Sequence, residues 1–281
     1  MAHPGPHPTS QLAAAFLTAT CALLPFTTQA NTRHFTYTYE TSVLAPGSKE
    51  IEVSNTLRMG RDEYYSTLDH RLEFEVGVAH NVMTAWYLNL SNTSEASALP
   101  NDKSLNTTFS WGGFSNEWKW KLRDPVSDPV GIALYSELTY KTDGFDLEPK
   151  ILFDKSFGNF LCAANFITEF EFASNSDETH LNEIAPDLVF GGSYQFSKSA
   201  FAGLEIRNHN AIVRNEADDQ MEYKFSSLYA GPVINYSTPE WWVTLSIMPQ
   251  LPALYKKDSS SLLVLDDGEK LNARLLFSFH I

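Results

Sequence analysis

The chain has 281 residues, with 34 Asp and Glu against 20 Lys and Arg, a formal net charge of -14, and an aromatic set of 19 Phe, 12 Tyr and 6 Trp. This balance, with no basic stripe anywhere, excludes nucleic acid as a partner, because neutralising phosphates takes clustered cations. The two cysteines, Cys21 and Cys162, form no CxxC metal motif.

Residues 12 to 24 are an uncharged apolar run, and Thr28-Gln29-Ala30 supplies small residues for cleavage. The run is too short to span a bilayer core of about 30 Å, so residues 1–30 are expected to be a secretory signal peptide cleaved near Ala30. Its n-region offers His3 and His7 in place of Lys or Arg, and the context of Cys21 is a poor lipoprotein signal. Removal of the leader would leave Cys162 as the one thiol. Beyond residue 30 no apolar run approaches the roughly 20 residues of a spanning helix.

Strict alternation dominates from residue 50 onward. Ile51, Val53, Asn55 and Leu57 alternate with Glu52, Ser54, Thr56 and Arg58, and the run from Leu68 to Val78 follows with Asp69, Arg71, Glu73 and Glu75 on its other face. After "AHN" come Thr84 to Leu90, a polar loop to about Lys103, and a strand through Trp118 and Trp120. "RDPVSDP" then breaks the ladder, since proline cannot donate to it. Four further alternating runs occupy 130–140, 147–154, 160–172 and 184–196, and the last four strands follow, ending in "LNARLLFSFHI".

Connections alternate between short ones (AHN, FGN, SKS, STPE) and longer polar ones (91–103, 173–179, 214–221, 252–268). Both this alternation and the strand lengths fit an all-β transmembrane antiparallel β-barrel of about 12 strands over residues 50–281. Leu275, Phe277, Phe279 and Ile281 would face lipid, with Asn272, Arg274 and Ser278 in the lumen and the last strand closing against the one near Ile51. "HFTYTYETSV", residues 34–43, would be a thirteenth strand. An even-stranded barrel has no place for it, so residues 31–49 are expected to be a periplasmic or lumenal extension.

Alternation alone does not say which face is outside, and a soluble barrel or sandwich gives the same string. The leader, the loop pattern and aromatics near strand ends (Tyr64, Tyr65, Trp118, Trp120, Tyr194, Phe196, Tyr236, Trp241, Trp242) that could form interfacial girdles favour the membrane.

On that reading the lumen carries Arg58, Asp69, Arg71, Glu73, Glu75, Glu117, Lys119, Lys121, Glu137, Glu148, Lys150, Glu169, Glu171, Glu183, Glu205, Arg207 and Arg274. Carboxylates outnumber cations, which would bias an open pore toward cations or polar neutral solutes. A self-paired charged filling is the blander account, since barrel lumens are polar by default. Glu73 with Glu75, and Glu169 with Glu171, are same-face neighbours about 7 Å apart along a strand rather than a catalytic pair.

For a lipid hydrolase, His70 shares the outward parity and Asn55 could lie opposite it, but Ser66 is about 13 Å along the strand, beyond hydrogen-bond reach. His180, His209 and His280 are isolated, and no spacing suggests a metal or cofactor. Asp218, Asp219, Asp266 and Asp267 are expected in solvated loops.

The stretches "HRLEFEVGVAHNVMTAWYLNL", "FSNEWKWKLRDP", "VGIALYSELTY" and "GPVINYSTPEWWVTLSIMPQ" resemble a group of uncharacterised bacterial outer-membrane β-barrel proteins with porin-like or transporter labels. The resemblance implies a Gram-negative outer membrane, with membrane lipids and the barrel-assembly machinery as partners, and brings no catalytic residue. The closing strand is also similar to the C-terminal signal read by that machinery, except that it ends in Ile281 instead of an aromatic residue. The expected function is a channel for small polar solutes with a net acidic lumen. The alternatives are a closed barrel with a structural or adhesive role and, third, a lipid-modifying enzyme.

Overall fold

The computed structural model describes residues 32–97, 104–174, 178–215, 217–257 and 261–281. The expected signal peptide, its cleavage site and Cys21 lie outside the described residues. Twelve strands form: β1 (Lys49–Met59), β2 (Tyr65–Ala79), β3 (Val82–Ala96), β4 (Leu105–Arg123), β5 (Gly131–Tyr140), β6 (Gly144–Phe157), β7 (Phe160–Ser174), β8 (Thr179–Ser197), β9 (Ala200–Arg214), β10 (Met221–Ser237), β11 (Trp241–Lys256) and β12 (Leu271–His280).

Each strand pairs antiparallel with its neighbour in sequence, and β12 returns to β1, so the sheet is a closed barrel. At the seam Ile51 lies opposite Phe279, Val53 opposite Phe277 and Asn55 opposite Leu275. Closure satisfies the backbone of both β1 and β12 and leaves no edge. An 11-residue strand such as β1, tilted by about 40°, spans roughly 28 Å along the barrel axis.

One end of the barrel carries the connections 80–81, 124–130, 158–159, 198–199 and 238–240, and the other carries 60–64, 97–104, 141–143, 175–178, 215–220 and 257–270. The two-length rule read from the sequence holds except between β4 and β6, where the longer turn (124–130) lies at the short-turn end and the shorter (141–143) at the other. The longer turn is tied down locally. Asp124 Oδ1 accepts from the Val126 and Ser127 N–H groups, Asp128 Oδ2 accepts from the Asp124 N–H, and Lys155 Nζ donates to the Pro125 and Asp128 carbonyls.

The outward face is apolar. Leu72, Phe74, Leu88, Phe166, Phe190, Leu204, Ile206 and Ile247 are all exposed. Near the short-turn end the outward aromatics Trp118 and Trp120 stack at 6.0 Å, Phe160 meets Tyr194 at 4.8 Å and Tyr236 meets Trp241 at 5.6 Å. Tyr223 and Tyr255 stack at 4.9 Å near the other end. Two belts with an apolar band between them match the two interfaces and core of a bilayer. Trp242 is a correction to the expected girdle: it is 1% exposed and points inward. Consecutive residues of a strand take opposite faces, and Trp241 holds the outward position.

Residues 32–48 form no strand; residues 33–44 run inside the barrel, and 45–47 are an exposed turn leading into β1. Phe35 joins Leu161, Ala163 and Val233, Tyr37 joins Val189, Tyr229 and Met248, and Tyr39 packs on Ala133, Tyr135 and Leu152. The 2-residue period of "HFTYTYE" therefore reports an extended segment with one apolar side, but its backbone pairs with side chains instead of a neighbouring strand. From Val264 to Glu269 the last connection folds into the opposite mouth, where Gln250 Nε2 donates to the Val264 and Glu269 carbonyls and Val264 packs on Ala211 and Phe225.

Candidate functional site

Inward parity gathers the charged residues around a lumen whose short-turn half is occupied by the N-terminal segment. Glu205 on β9 accepts from the backbone N–H of Thr36, Tyr37 and Thr38 and from Thr36 Oγ1, at 2.8 to 3.0 Å. Asn165 Oδ1 on β7 accepts from the Tyr39 N–H at 2.6 Å, and Asp154 on β6 accepts from the Thr41 N–H and hydroxyl. Lys119 Nζ donates to the Ser42 carbonyl, and Asn235 and Thr244 donate to that of Arg33. The wall thus satisfies a backbone that no ladder serves, as a buried chain requires.

Cations stack on the two tyrosines of the segment. Arg274 lies 3.9 Å from the Tyr37 ring centre, Arg33 4.1 Å and Lys150 4.0 Å from that of Tyr39. Arg274 also donates to Thr56 Oγ1 and the Thr36 carbonyl.

Above the segment lies a cavity of about 390 Å³. Eight carboxylates border it (Glu52, Asp69, Glu73, Glu137, Asp146, Glu148, Glu169, Asp187), with seven cations (Arg33, Arg58, Arg71, Lys141, Lys150, Arg207, Arg274). Most are paired along the wall: Arg71 with Glu137 at 3.2 Å, Lys150 with Glu148 on the same strand at 2.8 Å, Arg207 with Asp187 at 2.7 Å and Lys141 with Asp146 at 2.6 Å. Arg58 bonds Asp69 at 2.9 Å, and both Arg58 and Arg61 reach Glu269 of the inserted loop.

Of the lumen residues read from the sequence, Arg58, Asp69, Arg71, Glu73, Glu137, Glu148, Lys150, Glu169, Arg207 and Arg274 border this cavity. Glu75, Glu117, Lys119 and Glu205 are buried and do not border it; Lys119 and Glu205 bond the N-terminal segment, which takes the space they would otherwise line. Lys121 pairs with Asp124 at the short-turn end, and Glu171 with Lys141 near the other. Sequence reasoning omitted Arg33, Glu50, Glu52, Asp146, Asp154 and Asp187. Alternation with Ile51 and Val53 would have assigned Glu50 and Glu52 to the lumen.

The polar pair expected on the outer face does form, with His70 Nδ1 2.6 Å from Asn55 Oδ1. Its same-face neighbours are Leu68 and Leu72 on β2 and Leu90 opposite on β3. Among the described residues no hydroxyl bonds this histidine.

A family model matches residues 27–281, almost the entire chain. The chain belongs to the family of unknown function DUF6662. For this DUF6662 member no curated protein is a match. Among solved structures, the COG4313 outer membrane channel from Pseudomonas putida F1 is similar at TM-score 0.63 and 9% identity, covering 86% of this chain and 98% of that one. The NanC porin is similar at TM-score 0.52 and 10% identity, covering 82% of this chain and all of that one. At such identities the likeness is one of fold, and the DUF6662 chain shares the barrel of outer-membrane channels.

Proposed function

We propose that this protein is an outer-membrane channel for small polar solutes whose bore is held narrow by its own N-terminal segment. The observation that carries this reading is the charged cavity above Tyr37 and Tyr39, surrounded by inward-facing ionic side chains and enclosed by an apolar, aromatic-belted wall. Similarity of fold to the COG4313 channel and the NanC porin supports the same class. The short-turn end would face the periplasm, as such turns do in these barrels. Export by a cleaved leader and insertion by the assembly machinery belong to the same reading.

Eight carboxylates against seven cations leave the cavity acidic by only one charge. Discrimination by charge sign would therefore be slight, and a neutral or zwitterionic polar solute suits the lining best. Conductance across planar bilayers tests the proposal. Folded wild-type chain should give small currents, and weakening the hold on residues 35–41 should enlarge them.

A second reading, a closed barrel with a structural role, is favoured by the two insertions: the N-terminal segment at one end and the Val264 to Glu269 loop at the other. Zero conductance from folded wild type and from variants with a freed segment would establish that reading over the first.

A further inference from the structure

We propose that Glu52, Glu73 and Glu75 hold a divalent cation, Ca²⁺ in first place, at the side of the lumen cavity. The proposal does not depend on whether the barrel conducts.

The β1–β2 register sets Glu50 opposite Glu75 and Glu52 opposite Glu73. All four share the inward parity and are at most 4% exposed. Like charges directly opposite on neighbouring strands repel, and burial removes the water that would screen them. Such a block needs a compensating positive charge.

The protein's own cations reach it incompletely. Arg33 Nη1 meets only Oε1 of Glu52, at 3.2 Å. His280 Nδ1 lies 3.2 Å from Oε1 of Glu50, outside the cluster of three. Glu52 Oε2 and Glu75 Oε2 have no hydrogen-bond partner although both are buried. Buried acceptors are almost always satisfied, so two orphaned oxygens in one cluster point to a ligand that supplies no hydrogen bond.

The geometry fits a metal ion. One oxygen from each of Glu52, Glu73 and Glu75 lies within 4.8 Å of the others. Two oxygens on one Ca²⁺ can be separated by up to twice the bond length, about 4.6–5.2 Å, and Ca²⁺ accepts irregular carboxylate sets, whereas Mg²⁺ keeps several waters and is seldom held by an all-protein cage. An all-carboxylate set suits a hard cation rather than zinc or copper. Glu52 and Glu73 border the cavity, so a hydrated ion has a way in and waters can complete its shell. With the ion bound, Arg33 keeps its bond to Glu52, and the ion adds positive charge at the oxygens no side chain reaches.

The test uses the full-length chain folded in detergent, stripped with a chelator and titrated calorimetrically with Ca²⁺ alone. One site per chain is expected, with a dissociation constant at or below about the millimolar range, and a rise in thermal midpoint with added Ca²⁺. Glu73→Gln with Glu75→Gln should weaken binding at least about tenfold by removing ligand charge, while Glu171→Gln, elsewhere on the wall, should leave it unchanged. Heat-modifiable gel mobility confirms that each variant is folded. If the folded wild type takes up no Ca²⁺, the carboxylates share protons instead and the proposal fails. Equal affinity in the double variant overturns it as well.

Discussion

The ring of Phe35 occupies the space into which a side chain at Gly191 would project: a Cβ there would lie 2.6 Å from Phe35 Cδ1. A residue of the N-terminal segment and a residue of β8 are thus fitted to each other across the lumen. Phe35 is fully buried, and its other neighbours are Leu161, Ala163 and Val233.

Gly191→Leu should therefore expel Phe35 without altering the outward face. Overpacking of this kind costs about 1–3 kcal/mol, and lifting Phe35 away from the wall is the least constrained way to relieve it. The expected outcome is a folded barrel with larger conductance and an N-terminal segment newly open to added protease. Unchanged protection of the segment would show that it accommodates the bulk in place.

Glu205 provides a polar counterpart. Its carboxylate accepts from three consecutive backbone N–H groups and one hydroxyl of the segment, and hydrogen bonds to a charged acceptor contribute about 1.5–3 kcal/mol. Glu205→Gln turns an amide NH₂ toward those donors, so the segment should loosen by at least about that amount. Raised conductance and a lower thermal midpoint are expected, while strand content measured by circular dichroism stays the same because the β8–β9–β10 ladder does not use this side chain.

The barrel was legible because each strand states its own faces. A period of two is local, so Ile51, Phe74, Trp120 and Phe277 fell on one face and Glu73, Glu117 and Arg274 on the other, and the leader, the loop pattern and the strand-end aromatics turned the apolar face outward. Closure of the last strand against the one near Ile51 followed from counting hairpins, and the structure sets Ile51 opposite Phe279. Which inward side chains meet was not legible. Arg71 on β2 meets Glu137 on β5, and Asp187 on β8 meets Arg207 diagonally on the adjoining β9, through offsets set by each hairpin and by the bulges between neighbouring strands, and these are not written in any single strand. The segment with Phe35, Tyr37 and Tyr39 had the pattern of a strand, and its partners were side chains more than 100 residues away, Glu205 and Asn165.

Asp124, in the turn between β4 and β5, gives a pH-dependent expectation. The Val126 N–H and the Lys121 ammonium hold its carboxyl below the usual carboxylate range. A depressed carboxylate contributes stability that is fully present above its unfolded value, near pH 4, and is lost as pH falls through its folded value. The side chain is 40% exposed, so screening keeps the contribution under about 1 kcal/mol. Asp124→Asn should lower stability by a constant small amount above about pH 4, with the difference from wild type vanishing in stronger acid. A gap that persists at low pH would mean the turn depends on the shape of Asp124 rather than its charge.

Phe166 and Ile167 distinguish a membrane barrel from a soluble one. They are consecutive on β7: Phe166 points outward and is 55% exposed, while Ile167 packs inside against the cluster of Tyr37, Val189, Tyr229 and Met248. In water, Arg at position 166 would be nearly free of cost, since an exposed apolar ring gives way to a solvated charge. In a bilayer the same Arg faces hydrocarbon and costs about 2–4 kcal/mol near the midplane. Urea titration of Phe166→Arg in lipid vesicles should show that loss, and the variant in detergent should recover part of it because micelles deform around a charge. Stability unchanged in vesicles would place the outward face in water and remove the basis for a channel.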